Sequence, residues 1–126
     1  RRTFGPDFFI AGGWAAPQMI EALDRSVDAM IPECSMVRVY DAVFRMHRSG
    51  ERGEAVRLFR ALLPVLAYSN QEIRTSIAFF KRLLVRKGIF TAGAMRGAPF
   101  QWDEFNSRIA DELIDLYLGL ESSTRQ

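Results

Sequence analysis

The sequence predicts an α/β fold with an unclosed sheet: one strand–helix–strand unit followed by a series of amphipathic helices. Short apolar runs at 8–13 (Phe8-Phe9-Ile10-Ala11-Gly12-Gly13) and 28–32 (Asp28-Ala29-Met30-Ile31-Pro32) flank a helix-like stretch at 17–25. From there to Leu120 the chain reads as helix. Two parallel strands joined by one crossover helix leave ladders of N–H and C=O groups unpaired at their outer edges. The chain is therefore expected to be the tail of a larger fold.

Phe8, Phe9 and Ile10 form a continuous apolar run, as expected of a strand covered on both faces, and Gly12-Gly13 ends it. Pro17 falls in the first turn of the next helix, where a missing N–H costs nothing, and Met19, Ile20, Leu23 and Val27 form its buried stripe. After the second strand, Glu33-Cys34-Ser35 makes a turn with Ser35 as the expected N-cap. The helix over 36–49 carries Met36, Tyr40, Val43, Phe44 and His47 at helical spacing, and Gly50 supplies a left-handed stop. A helix over 54–68 presents Val56, Phe59, Leu62, Leu63 and Leu66, with a bend or interruption expected at Pro64. The helix over 71–87 aligns Ile73, Ile77, Phe80 and Leu84 and stops at Gly88. Residues 91–101, with two glycines and Pro99, read as a connector. Asp103 caps the last helix, whose expected buried side is Phe105, Ile109, Leu113, Leu116 and Leu120, and 121–126 read as a polar, frayed end.

At 126 residues, 48% hydrophobic and 25% charged, the composition is that of one ordinary globular domain. A complete eight-stranded βα barrel takes roughly 250 residues, so the length matches only part of one. The first residue is Arg1 rather than Met, and the N-terminus is expected to be cut. The net charge is only +2, and the arginines, 15 of the 17 basic residues, are interleaved with Asp and Glu. That pattern describes solvated helix faces, not a nucleic-acid surface, so no nucleic-acid partner is expected. No run approaches the roughly 18 apolar residues of a membrane span, so no membrane partner is expected either. The single Cys34 has no disulfide partner and no ligand-type neighbours, which leaves a cytoplasmic protein without metal or cofactor as the expectation.

Groups with reactive chemistry are few. His47, the single histidine, lies on the apolar side of its helix, the usual place of a core or interface residue. Cys34 follows a strand end but has no base beside it, so it reads as structural. Lys81 and Lys87 both sit on a late amphipathic helix, away from the strand ends where barrels keep their chemistry, so no catalytic residue is assigned. Gly12-Gly13 lacks a phosphate-loop pattern and reads either as a tight strand exit or as a place of close backbone approach to a ligand. Glu33, just past the second strand, either faces a barrel mouth and binds a polar substrate group or simply faces solvent.

Several segments, in order, resemble one family. They are Ile10-Ala11-Gly12-Gly13, Asp28-Ala29-Met30-Ile31-Pro32, Tyr40-Asp41, Ser49-Gly50-Glu51, Glu54-Ala55 and Leu62-Leu63-Pro64-Val65-Leu66, followed by Phe80-Lys81, Leu84 to Ile89 and Arg96-Gly97-Ala98-Pro99. From about Phe8 to Leu120 the chain is similar to the last third of the dihydrodipicolinate synthase / N-acetylneuraminate lyase family of pyruvate-type class I aldolases.

The resemblance implies the C-terminal portion of a (βα)8 TIM barrel, with strand seven near Phe8, strand eight near Ala29, and helices after them. Residues 1–50 would be the last two βα units and 51–126 a C-terminal helical extension. In the family a strand-six lysine forms a Schiff base with a 2-keto acid, a strand-five tyrosine relays protons, and a threonine-bearing loop holds the carboxylate. All of these would precede Arg1. The chain would then supply pocket wall only, with Ile31 and Gly12 at positions that line the pyruvate site, and would be inactive alone. Family members of the lysine pathway and sialic-acid lyases carry acidic residues after that glycine, where this chain has Gly13-Trp14, which leans toward a sugar-acid dehydratase or a divergent aldolase. Trp14 would either stack on substrate or pack at the rim. Pyruvate or another 2-keto acid is the implied small-molecule partner of the whole enzyme. Uncovered strands and helix faces lead us to expect a homo-oligomer, and the competing expectation is a stand-alone helical interaction module.

Overall fold

The computed structural model describes residues 2–13 and 16–124. Strand β1 (Ala11–Gly12) pairs in parallel with β2 (Ala29–Met30), with Ala11 opposite Ala29 and Gly12 opposite Met30. Helix α1 (Met19–Asp24) crosses between them. Four helices follow: α2 (Val37–Arg48), α3 (Arg52–Ser69), α4 (Ile73–Arg86) and α5 (Glu104–Ser123).

The strands are shorter than the apolar runs that encode them. Ladder bonds join Ile10 to Asp28 and Gly12 to Ile31, and the Asp28 carboxylate accepts from the Ile10 amide at 2.8 Å. Phe9 is 68% exposed, so the expected cover on both faces of the first strand is not present. A strand extends only as far as a partner accepts its bonds, and β1 has β2 alone among the described residues.

Met19 and Leu23 of α1, Val39 and Val43 of α2, Phe59, Leu62 and Val65 of α3, Phe79 and Leu83 of α4, and Ile114 and Tyr117 of α5 form one continuous core. Helix α3 is its axis, packing on both α2 and α5. Helix α3 runs through Pro64, so the interruption that the sequence allowed for does not occur. Its exposed ring faces away from Leu62, Val65 and Leu66, whose burial holds the turns on either side.

Two helices dock on faces rotated from those expected, with Leu84 still buried and Phe80, Leu113 and Leu120 packed at the margin of the core. In α4 the buried residues are Ala78, Phe79, Leu83 and Leu84, and Ile73 is 70% exposed. Phe79 fixes this rotation, meeting the Tyr68 ring edge-on at 5.6 Å. In α5 the buried side is Ala110, Ile114, Tyr117 and Glu121, whereas Phe105 is 64% exposed. Arg82 settles how the two helices meet. It forks onto Asp111 at 2.8 and 2.7 Å, donates to Ser107 and lies 4.9 Å over the Trp102 ring.

The stops and one cap agree with the sequence. Gly50 (φ +90°) and Gly88 (φ +70°) each close a helix with paired backbone bonds, from Gly50 and Glu51 to His47 and Met46, and from Gly88 and Ile89 to Val85 and Leu84. Asp103 caps α5 by accepting from the Asn106 amide at 2.7 Å. Helix α4 is capped by Glu72, which accepts from the Arg74 and Thr75 amides.

Candidate functional site at the strand ends

In a parallel sheet, the crevice at the carboxyl ends of the strands is the usual ligand position. Here that crevice is a cleft of about 310 Å³ lined by Gly12, Gly13, Pro17, Gln18, Ala22 and Met30. A methyl group on Gly12 would come within 2.7 Å of the Met30 sulfur, so glycine permits this side chain to lie across the strand exit. Ile31 donates its amide to the Gly12 carbonyl at 2.7 Å, and its side chain is 65% exposed. Gly12 and Ile31 are thus brought together at one end of the sheet. Trp14 lies outside the described residues.

Glu33 does not stand free in the turn. Its Oε2 accepts from the Ser35 amide at 2.6 Å and from the Ser35 hydroxyl at 2.5 Å, and its Oε1 accepts from the Met36 amide at 3.0 Å. The expected cap is therefore reversed. Met36 is the N-cap and makes no side-chain cap bond, while Ser35 turns its hydroxyl to Glu33. Burial pushes the Glu33 carboxyl above its ordinary value, against these hydrogen bonds and the charge of Lys87.

Behind this turn lies a polar cluster that the sequence did not reveal. Lys87 Nζ donates to the Ser35 carbonyl at 2.8 Å and to Glu121 Oε1 at 2.7 Å, and sits 5.4 Å from the Tyr117 ring centroid. The Tyr117 hydroxyl donates to the same Glu121 oxygen at 3.0 Å. Burial would raise the Glu121 carboxyl, but the bonds from Lys87 and Tyr117 more than offset it and hold the group below its ordinary value. Tyr117 is pushed up by burial and then by Glu121. The Tyr40 hydroxyl, buried without a hydrogen-bond partner, is also pushed up, first by burial and then by the charge of Glu33.

Glu121 is buried, not part of a frayed polar end, and α5 runs on past it to Ser123. The signal available in the sequence was Tyr117 four residues before Glu121, a spacing that puts both on one helix face. Lys87 sits at the end of α4, yet its amine reaches the turn that follows β2.

Other chemistry-bearing residues lie elsewhere. His47 Nε2 meets Asp24 Oδ1 at 2.8 Å, and Arg52 forks onto the same carboxylate at 2.8 and 2.6 Å, so His47 sits at a helix junction rather than in the core. Arg52 and then His47 hold Asp24 well below the usual carboxylate range. Lys81 donates to the Ala94 carbonyl of the connector, and Cys34 is exposed. A larger groove of about 690 Å³ at the α3–α4 junction shares Pro17 with the strand-end cleft, but it is mainly apolar and gathers no acid–base pair. Among the described residues no group of His, Cys, Asp or Glu could hold a metal ion, and no helix is long and apolar enough to cross a membrane.

The chain superimposes on the crystal structure of dihydrodipicolinate synthase from Rhodopseudomonas palustris with a TM-score of 0.80 over 88% of its length, at 20% sequence identity. It has the fold of part of that enzyme. It spans 36% of the length of that chain. No protein-family model matches the sequence, and no curated protein matches it. The two parallel strands and the helices after them are thus a partial barrel, mostly helical in this chain.

Proposed function

We propose that this chain is the closing portion of a Schiff-base-forming lyase or synthase that acts on pyruvate or a related 2-keto acid. The observation that carries this reading is the match in fold to a dihydrodipicolinate synthase, together with the meeting of Gly12 and Ile31 at the carboxyl ends of adjacent parallel strands. On this reading residues 1–50 complete the barrel, and 51–126 form the helical extension. Gly12, Ile31 and the turn of Glu33 form one wall of the keto-acid pocket. The imine, an electron sink for a carbanion next to the former carbonyl, forms on a lysine outside this chain. Neither lysine present suits that role, since Lys87 is engaged by Glu121 and Lys81 by the connector. A 2-keto-3-deoxy sugar-acid dehydratase uses the same electron sink and is the alternative within this reading.

Titration with pyruvate is expected to shift the amide resonances of Gly12, Gly13 and Ile31, while borohydride added with pyruvate leaves the intact mass unchanged. A flat titration would remove the pocket assignment, and a covalent adduct on Lys81 or Lys87 would overturn the division of labour.

A second reading, a helical interaction module, draws on the continuous core from Met19 to Tyr117. It requires cooperative unfolding and a ligand-independent surface. Thermal melting combined with the pyruvate titration separates the two.

A further inference from the structure

We infer that Lys87 is a positioning residue, tying the lip of the strand-end cleft to the C-terminal end of α5. Its consequence for a bound keto acid rests on the pocket proposed above; the tether itself does not. The lip is the segment between β2 and α2, which meets the cleft where the Ile31 amide donates to the Gly12 carbonyl. Inside it, Ser35 is bonded on two sides. Its amide and hydroxyl donate to Glu33, and its carbonyl accepts from Lys87. The same ammonium is anchored by Glu121, which Tyr117 bonds in turn, so the lip is connected to α5 through one cation. An ammonium suits this place because its donors can be turned separately to a carbonyl and a carboxylate while its charge lies over the Tyr117 ring. Ile31 lies two residues before Glu33 and donates its amide to the carbonyl of Gly12, which lines the cleft, so displacement of the turn reaches the cleft through that bond.

Site-resolved hydrogen exchange on the whole chain tests this. Lys87→Met is expected to accelerate exchange of the Ser35 and Met36 amides by about tenfold or more while Leu62 and Val65 in α3 keep their rates. Lys87→Arg, which keeps the charge for Glu121 but holds its donors in a fixed planar fork, should bring the two amides only part of the way back to the parent rates. Glu121→Gln, which keeps the shape of the anchor, should accelerate the same two amides and serves as a second probe if Lys87→Met folds poorly. Unchanged exchange at Ser35 and Met36 in Lys87→Met overturns the tether, and so does acceleration spread equally through α3 in both variants. Pyruvate titration of the parent is read separately. Its failure removes the pocket and leaves the exchange result to decide the tether.

Discussion

Lys87 and Glu121 meet at 2.7 Å with 12% and 4% of their side chains exposed, at the point where α4, α5 and the turn after β2 converge. Removing two charges from water is costly, and the cost is offset only when hydrogen bonds satisfy the groups that remain. Here the Ser35 carbonyl and the Tyr117 hydroxyl supply them. Deleting one partner strands the other, so Glu121→Ala is expected to lower unfolding stability by about 3 kcal/mol. The double change Lys87→Met with Glu121→Leu should lie closer to the parent than Glu121→Ala does. Urea unfolding of the three chains checks the ordering, and equal losses in the single and double variants contradict it.

Glu121, Asp111 and Glu33 each contribute to the response to acid. Glu121 is held below its ordinary value of 4.5, and Asp111 below 3.8, mainly by the hydrogen bond from Arg82. The unfolded chain therefore binds these protons more readily. The stability the two groups add is complete above their ordinary values and is lost as pH falls through their folded values. Glu33 has the opposite sign. Its raised value makes the folded state the better proton acceptor, so its contribution declines as pH rises from 4.5 toward the folded value. Urea midpoints between about pH 3 and about pH 7 should show a flatter acid limb in Glu121→Gln and a steeper one in Glu33→Gln.

The docking of α4 can be tested by truncations. Leu62 is fully buried in α3, and Leu62→Ala is expected to cost about 2–5 kcal/mol. Ile73→Ala, on the stripe of α4 that the sequence favoured, should stay within about 0.5 kcal/mol of the parent. Phe79→Ala should cost about 3–5 kcal/mol. A large loss at Ile73 would restore the stripe read from periodicity.

Where a rule is local, the residues were legible. Gly50 and Gly88 end their helices because a left-handed C′ residue depends only on the few residues around it, and Asp103 caps α5 for the same reason. The strand–helix–strand order was legible because the apolar runs mark it. The faces of α4 and α5 were not, since both helices carry apolar residues on more than one side and only the partner selects among them. Phe79 against Tyr68 makes that selection for α4, and Arg82 with Asp111, 29 residues apart, ties α4 to α5. Glu33 rather than Ser35 accepts from the amides at the start of α2, because either side chain can serve backbone amides two or three residues on. The Lys87–Glu121 pair was hidden by a separation of 34 residues. Gly12 and Ile31 stood out in the sequence as strand-exit residues, but their mutual bond emerges only from the register of β1 on β2.

That register also leaves something unfinished. The described residues give β1 one neighbour, and Phe8, Phe9 and Ile31 are exposed around the pair. An open strand edge beside aromatic side chains invites pairing with another chain, and a charged side chain at the edge discourages it. Light scattering is therefore expected to show self-association of the parent chain that weakens with dilution, and Phe9→Lys should shift it toward the monomer. Because Phe9 is outside the helical core, the thermal transition of Phe9→Lys at low concentration should stay close to that of the parent. A parent chain that is monomeric at every concentration contradicts the expectation. An association unaltered by Phe9→Lys would move the contact away from the strand edge, to the exposed apolar side of α5 around Phe105 and Ile109.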